Sequence, residues 1–149
     1  MLIRPVVRWL SPPVLLVAIH VLANVVWIGS ILSVATIAGR APLSADPAEA
    51  GIIARRVYTR LAAPAFAASF LAGLGRIILD PRAYAHMPWM HAKLTLAFVV
   101  IVLHHIIGAR ARRVSEGNDK AGRGLGTLAV VTLVCAAGAV MLGVAKTLP

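Results

Sequence analysis

Charge is in short supply in this sequence. Of 149 residues, only 13% are Asp, Glu, Lys or Arg, where a soluble domain of this size carries about 25%. That shortage excludes a chain that is mostly water-soluble. Cysteine is nearly missing too: Cys135 stands alone inside an apolar run. One chain can therefore build neither a disulfide framework nor a multi-cysteine metal site, and the residue reads as packing. No repeat of fixed period is present. The length leaves room for one compact bundle with short connections, so residues 1–149 are expected to form a single transmembrane domain.

What is there is apolar and basic. Hydrophobic residues make up 60% of the chain, and the mean hydropathy is +0.87. The formal net charge is +10. A balance of that sign raises nucleic acid as a partner, yet the Lys and Arg residues sit beside the apolar runs, where lipid headgroups attract them. Membrane lipid is the expected partner, and nucleic acid is not.

A hydrocarbon core of about 30 Å takes about 20 apolar residues to cross as a helix. Residues 14–38 contain no Asp, Glu, Lys or Arg, and neither do residues 124–145; Lys146 would anchor the end of the latter at the interface. A third span extends from Trp89, at headgroup level, to residue 109. The second is bounded by Arg60 and Arg76 and reaches spanning length if those side chains snorkel or if Arg76 faces a polar interior; a re-entrant hairpin is the alternative. The predicted fold is all-α, an integral membrane four-helix bundle with spans at 14–38, 57–79, 89–109 and 124–146.

Loops one and three hold Arg40, Arg55, Arg56, Arg60, Arg110, Arg112, Arg113, Lys120 and Arg123, against Arg4, Arg8, Arg76, Arg82, Lys93 and Lys146 on the other face. The excess belongs on the cytoplasmic side, which places both termini outside the cytoplasm of what is expected to be a bacterial inner membrane. Arg4 and Arg8 pull the other way. The first run is longer than the apolar region of a cleaved signal peptide and is expected to stay in the mature protein. Residues 41–51 and 115–126 read as connections without a folded insert.

Polar side chains retained inside spans are costly and normally face the bundle interior. In the first span these are chiefly His20, Asn24, Trp27 and Ser30; the first three fall within about 60° of one another around the helix. In the third span, Lys93 and His104 are about three turns apart on one face, while His91 and His105 point elsewhere. Such groups often do no more than hydrogen-bond a neighbouring helix, at about 0.6 kcal/mol. The convergence of a His stripe with a Lys and His stripe argues instead for a cofactor site, since neutral imidazole ligates metals and haem iron.

His20-x6-Trp27-x-Gly29, Pro64 with Gly73, Trp89-Met90-His91-Ala92-Lys93-Leu94 and Leu103-His104-His105 together resemble the HemJ-type protoporphyrinogen oxidases over about two thirds of the chain. The resemblance implies a small four-helix membrane protein holding haem b. It puts axial or near-haem roles on His20 and His104, and makes Lys93 the partner of a propionate or an anionic tetrapyrrole. Two family features are missing: the Leu-Pro-Arg-Leu-type segment ending in Tyr-His after the first span, and the Arg, Asn-Glu and Pro signature before the last, where residues 124–130 are apolar. This leaves haem binding as the expectation and a protoporphyrinogen oxidase-like oxidoreductase activity open.

The same opening also resembles the CopD copper-resistance membrane proteins, and His86-Met87-Pro88-Trp89-Met90-His91 supplies imidazole and thioether, suitable ligands for Cu(I). On depth alone, His20 and His104 are offset by about 12 Å, so His20 with His91, or His20 alone, are alternatives to a His20 and His104 pair. Arg76, Arg82 and Lys93 share the outer half with His20 and could pair with carboxylates; Trp27 would pack on a macrocycle, with Asn24 beside it. The sequence thus points to a haem b-binding membrane redox protein exchanging electrons with a tetrapyrrole or quinone-like partner. Copper handling is the alternative. A further one is a non-catalytic bundle in a homo-oligomer or larger membrane complex, packing through Ala68, Gly73 and Gly138.

Overall fold

A computed structural model describes residues 11–145. The basic residues Arg4, Arg8 and Lys146, and with them the placement of the two termini, lie outside the described residues. Among the described residues, four helical segments are long and apolar enough to cross a membrane, so this is an all-α integral membrane bundle.

Helix α1 is Pro12–Gly39, opened by two prolines in its first turn after Ser11, where their missing N–H groups leave no helical bond unmade. A 3-10 turn at Ala41–Leu43 leads to α2, Pro47–Val57. The chain then passes through a π-helical turn at Tyr58–Ala62 into α3, Ala63–Leu79. No reversal interrupts this run, so the second crossing is a span and not a re-entrant hairpin. A short helix α4, Arg82–Ala85, precedes α5, Pro88–Ser115. Its end is fixed by Gly117 at φ 90°, with the N–H groups of Gly117 and Asn118 donating to the carbonyls of Val114 and Arg113, a Schellman closure. A 3-10 turn at Asp119–Gly122 and Gly124 lead into α6, Leu125–Ala145.

The first connection departs from the sequence expectation. Residues 47–57, read partly as a plain linker, are helical and extend the second crossing toward the loop side. The Asp46 side chain accepts the Glu49 N–H at 3.0 Å, Pro47 sits in the first turn, and Glu49 lies at the N-terminal end, where the helix dipole favours an acid.

Packing is unequal along the bundle. The core lies at the end carrying loops one and three: Ile31, Val34, Ala35 and Ala38 of α1, Ala54 of α2, Ile107, Ala111 and Val114 of α5, and Leu125 of α6 are buried together. Missing side chains permit the close approach there. A Cβ on Gly51 would collide with the backbone at Val114 and Ser115, and one on Gly122 with the Ala38 carbonyl. In the opposite half α1 has no buried residue before Trp27 among those described, and Val14, Val17, Val21, Leu22 and Val25 face outward, as side chains against acyl chains do. There α3 lies along α1, and α6 along α5. At the loop end Glu116 accepts from Arg112 Nε at 2.8 Å and lies 3.8 Å from Arg55, tying α2 to the end of α5. The Arg112 hydrogen bond holds the Glu116 carboxyl below its ordinary value.

Candidate functional site

The polar residues of the spans gather into two hydrogen-bonded centres, stacked along the bundle. The one farther from loops one and three is built on His20. Its Nδ1 lies 2.8 Å from the Ser69 carbonyl oxygen and 3.3 Å from Ser69 Oγ, while its Nε2 lies 3.1 Å from the Asn24 amide nitrogen. An amide NH₂ only donates and a carbonyl only accepts. His20 is therefore the tautomer with its proton on Nδ1, donated to Ser69, and with a basic Nε2 that accepts from Asn24. The second N–H of Asn24 goes to the His20 carbonyl at 2.9 Å. Gly73, one turn beyond Ser69 on α3, makes room for the ring: a Cβ there would stand 2.9 Å from His20 Cε1.

The centre nearer loops one and three is built on His104, only 1% exposed. Trp27 Nε1–H donates to His104 Nδ1 at 3.0 Å, and Tyr58 Oη lies 3.2 Å from His104 Nε2. Indole N–H is a donor only, so Nδ1 must accept and Nε2 must carry the proton, donating it to the Tyr58 oxygen. Tyr58 fits because α5 carries Gly108 opposite it, where a Cβ would overlap the phenol ring. Phe66 closes the cluster, with ring centroids 5.0 Å from Trp27 and 4.9 Å from His104. The π-helical turn that starts at Tyr58 is the kind of local widening often found at functional sites.

The expected inward face of the first span is present: Trp27 and Ser30 are buried, and His20 and Asn24 are half-buried. The structure does not bring His20 and His104 to one centre. Trp27, the partner of His104, lies about 10 Å along α1 from His20, and each imidazole has both nitrogens engaged by its own partners. Lys93 is half-buried toward α6, its Nζ 3.7 Å from where a Cβ of Gly143 would be. Arg76 lies over the Tyr84 ring at 5.5 Å and borders an open groove with Pro13, Val14, Val17 and Ala18. Arg82 is exposed.

The suggested copper stretch does not converge. His86, Met87 and His91 are exposed, whereas Met90 is 8% exposed and turned inward. Among the described residues no group of three or more His, Cys, Asp or Glu side chains is placed to hold a metal ion. Of the small residues expected to pack helices, Gly73 receives His20 and Gly138 faces Leu96, while Ala68 is exposed.

Sequence reasoning missed Tyr58, Ser69, Phe66 and Gly108. Ser69 and Tyr58 left a trace, as polar groups on a crossing already flanked by Arg60 and Arg76. Compared with protein-family models, with curated proteins and with solved structures, the chain matches none of them.

Proposed function

We propose that this chain is a haem b-binding redox protein of the bacterial inner membrane, with His20 alone as the protein ligand to iron. The observation that carries this reading is the Nδ1–H bond of His20 to the Ser69 carbonyl at 2.8 Å. Ligating histidines donate their second ring N–H in this way, which fixes the ring and raises the basicity of the other nitrogen. Among the described residues, His20 Nε2 is opposed by the Asn24 side-chain amide at 3.1 Å, a group that can rotate aside. His104 does not fit as a second ligand, because its Nδ1 holds the Trp27 proton and its Nε2 is itself protonated.

Bound at His20, haem b would supply one-electron transfer through the changing charge of its iron. Ser69 and Gly73 would hold the ring in place, and the Asn24 amide, 3.1 Å from Nε2 in this structure, would have turned aside. Arg76, about one turn beyond Gly73, is the cation that would meet a carboxylate of the bound group, and the acyl chains would exclude water. The described part of α6 has no acidic or amide side chain, and its buried Thr132 hydroxyl is spent on the Leu128 carbonyl at 2.8 Å. The resemblance to HemJ-type oxidases is therefore taken as far as haem binding and electron transfer with a lipophilic partner, and no further. Copper at residues 86–91 has no comparable support.

The test is a reduced-minus-oxidised spectrum of the purified protein in detergent. A b-type α band is expected in the wild type and in His104→Ala, and its loss in His20→Ala. A wild type without haem, or an unchanged band in His20→Ala, sinks the reading.

A further inference from the structure

Residues 61–75 and 94–109 hold no Asp, Glu, Lys or Arg, and at the loop end both runs give way to arginine: Arg55, Arg56 and Arg60 before the first, Arg112 and Arg113 after the second. At that depth a cation meets lipid headgroups. Arginines that only snorkel would fan out around their helices. These are brought together, because α2 and α5 touch at the backbone: Gly51 lies so close to Val114 and Ser115 that a Cβ would overlap them. One carboxylate bridges the junction. Glu116 accepts from Arg112 Nε at 2.8 Å and lies 3.8 Å from Arg55 Nη1, and Arg113 adds its field at the same carboxyl. All of these side chains are exposed. A guanidinium carries five N–H donors, so the single Arg112 donor that Glu116 takes leaves most of the cluster's donors for another anion, which would also relieve the repulsion among the cations.

The junction continues toward the opposite half as a seam of rings. On α5, Arg112, His105 and Phe98 recur every seven residues, so they share one face, and all three are exposed. His105 meets Phe66 of α3 at 5.7 Å, and Phe66 meets Phe70 at 5.9 Å. Farther on, α3 follows α1 while α5 follows α6, so the two walls part. From Arg112 to Phe98 the seam runs about 20 Å, charged at one end and apolar at the other. We infer that it binds an anionic phospholipid, with Arg55 and Arg112 on the phosphate and an acyl chain along Phe66, His105 and Phe98. A free phosphate would use only the charged end. A zwitterionic headgroup would bring a cation of its own to the arginines. Glu116 is the competitor of the phosphate, and an exposed ion pair of this kind holds weakly enough to be displaced. The site is independent of the haem reading.

The experiment titrates phosphatidylglycerol into the full-length protein in a neutral detergent and counts retained lipid by native mass spectrometry. The wild type should retain it saturably and hold phosphatidylcholine about tenfold more weakly. Replacing both junction arginines, Arg55→Gln with Arg112→Gln, should weaken phosphatidylglycerol about tenfold or more, the loss of charge-assisted hydrogen bonds. Lys120→Gln with Arg123→Gln removes the same charge from the same end but away from the junction, and should leave retention unchanged. Glu116→Gln is the sharpest arm: it removes the competing anion and frees both guanidiniums, so retention should tighten, whereas a carboxylate that merely tied α2 to α5 in support of the site would weaken it when lost. Inorganic phosphate at the lipid's concentration should displace nothing. Equal retention of the two lipids, no loss in the junction variant, an equal loss in the Lys120 and Arg123 variant, weaker retention in Glu116→Gln, or displacement by inorganic phosphate overturns the inference.

Discussion

At the scale of single residues, the two centres differ in what their glycines permit. Gly73 leaves just enough space for the His20 ring: a Cβ would lie 2.9 Å from Cε1 and 3.0 Å from Nδ1. Gly73→Ala must push the imidazole off the Ser69 carbonyl or push α3 from α1. Overpacking of this kind costs typically about 1–3 kcal/mol. The variant is expected to lose the spectral band assigned to His20 while the Trp27–His104–Tyr58 bonds persist, and its thermal unfolding in detergent should shift down. A full-intensity b-type band in Gly73→Ala would show that the ring position does not matter to the site. The polar residues of α1 were readable from sequence because they share one helix face. Their partners were not: Tyr58 lies 46 residues from His104 and Trp27 lies 77 from it, and no local pattern encodes which crossing supplies the third member of a hydrogen-bonded chain.

At the scale of elements, α2 is the part that composition concealed. Its charged and apolar residues alternate as on a surface helix, so it fails the test of an uncharged run that identified α1 and α6. Nevertheless Ala54 is buried in the core and Gly51 abuts the end of α5. The local signal was Asp46-Pro47 with Glu49 in the first turn, a helix start written in capping residues and not in hydropathy. Asp46→Ala removes the acceptor of the Glu49 N–H, a change worth about 1 kcal/mol. Because α2 continues through the π turn into α3, the loss should appear as faster amide exchange in the first turns of α2, with exchange in α3 unchanged. Uniformly faster exchange across the whole run would mean instead that the cap governs the entire crossing. The position of Tyr58 depends on the same run, since α2 sets the register at which the phenol meets Gly108.

At the scale of the molecule, the bundle is closed at one end and loosely joined at the other, and the charge follows the same division. Loops one and three with the adjoining helix ends carry Arg40, Arg55, Arg56, Arg60, Arg110, Arg112, Arg113, Lys120 and Arg123, while among the described residues the connection between α3 and α5 with its adjoining helix ends carries Arg76, Arg82 and Lys93. Four crossings put the two loops on one side and residues 80–87 on the other. The excess of Arg and Lys predicts that the closed end faces the cytoplasm, with the His20 centre toward the outer leaflet and Tyr58 toward the inner. In a Cys135→Ser background, a single cysteine replacing His86 should react with a membrane-impermeant maleimide in intact spheroplasts. One replacing Lys120 should react only after permeabilisation. Reversed labelling would keep the four crossings but move the Tyr58 centre to the outer leaflet. Labelling of both positions from the same side would break the even number of crossings between them, and with it the stacking of the two centres along one bundle.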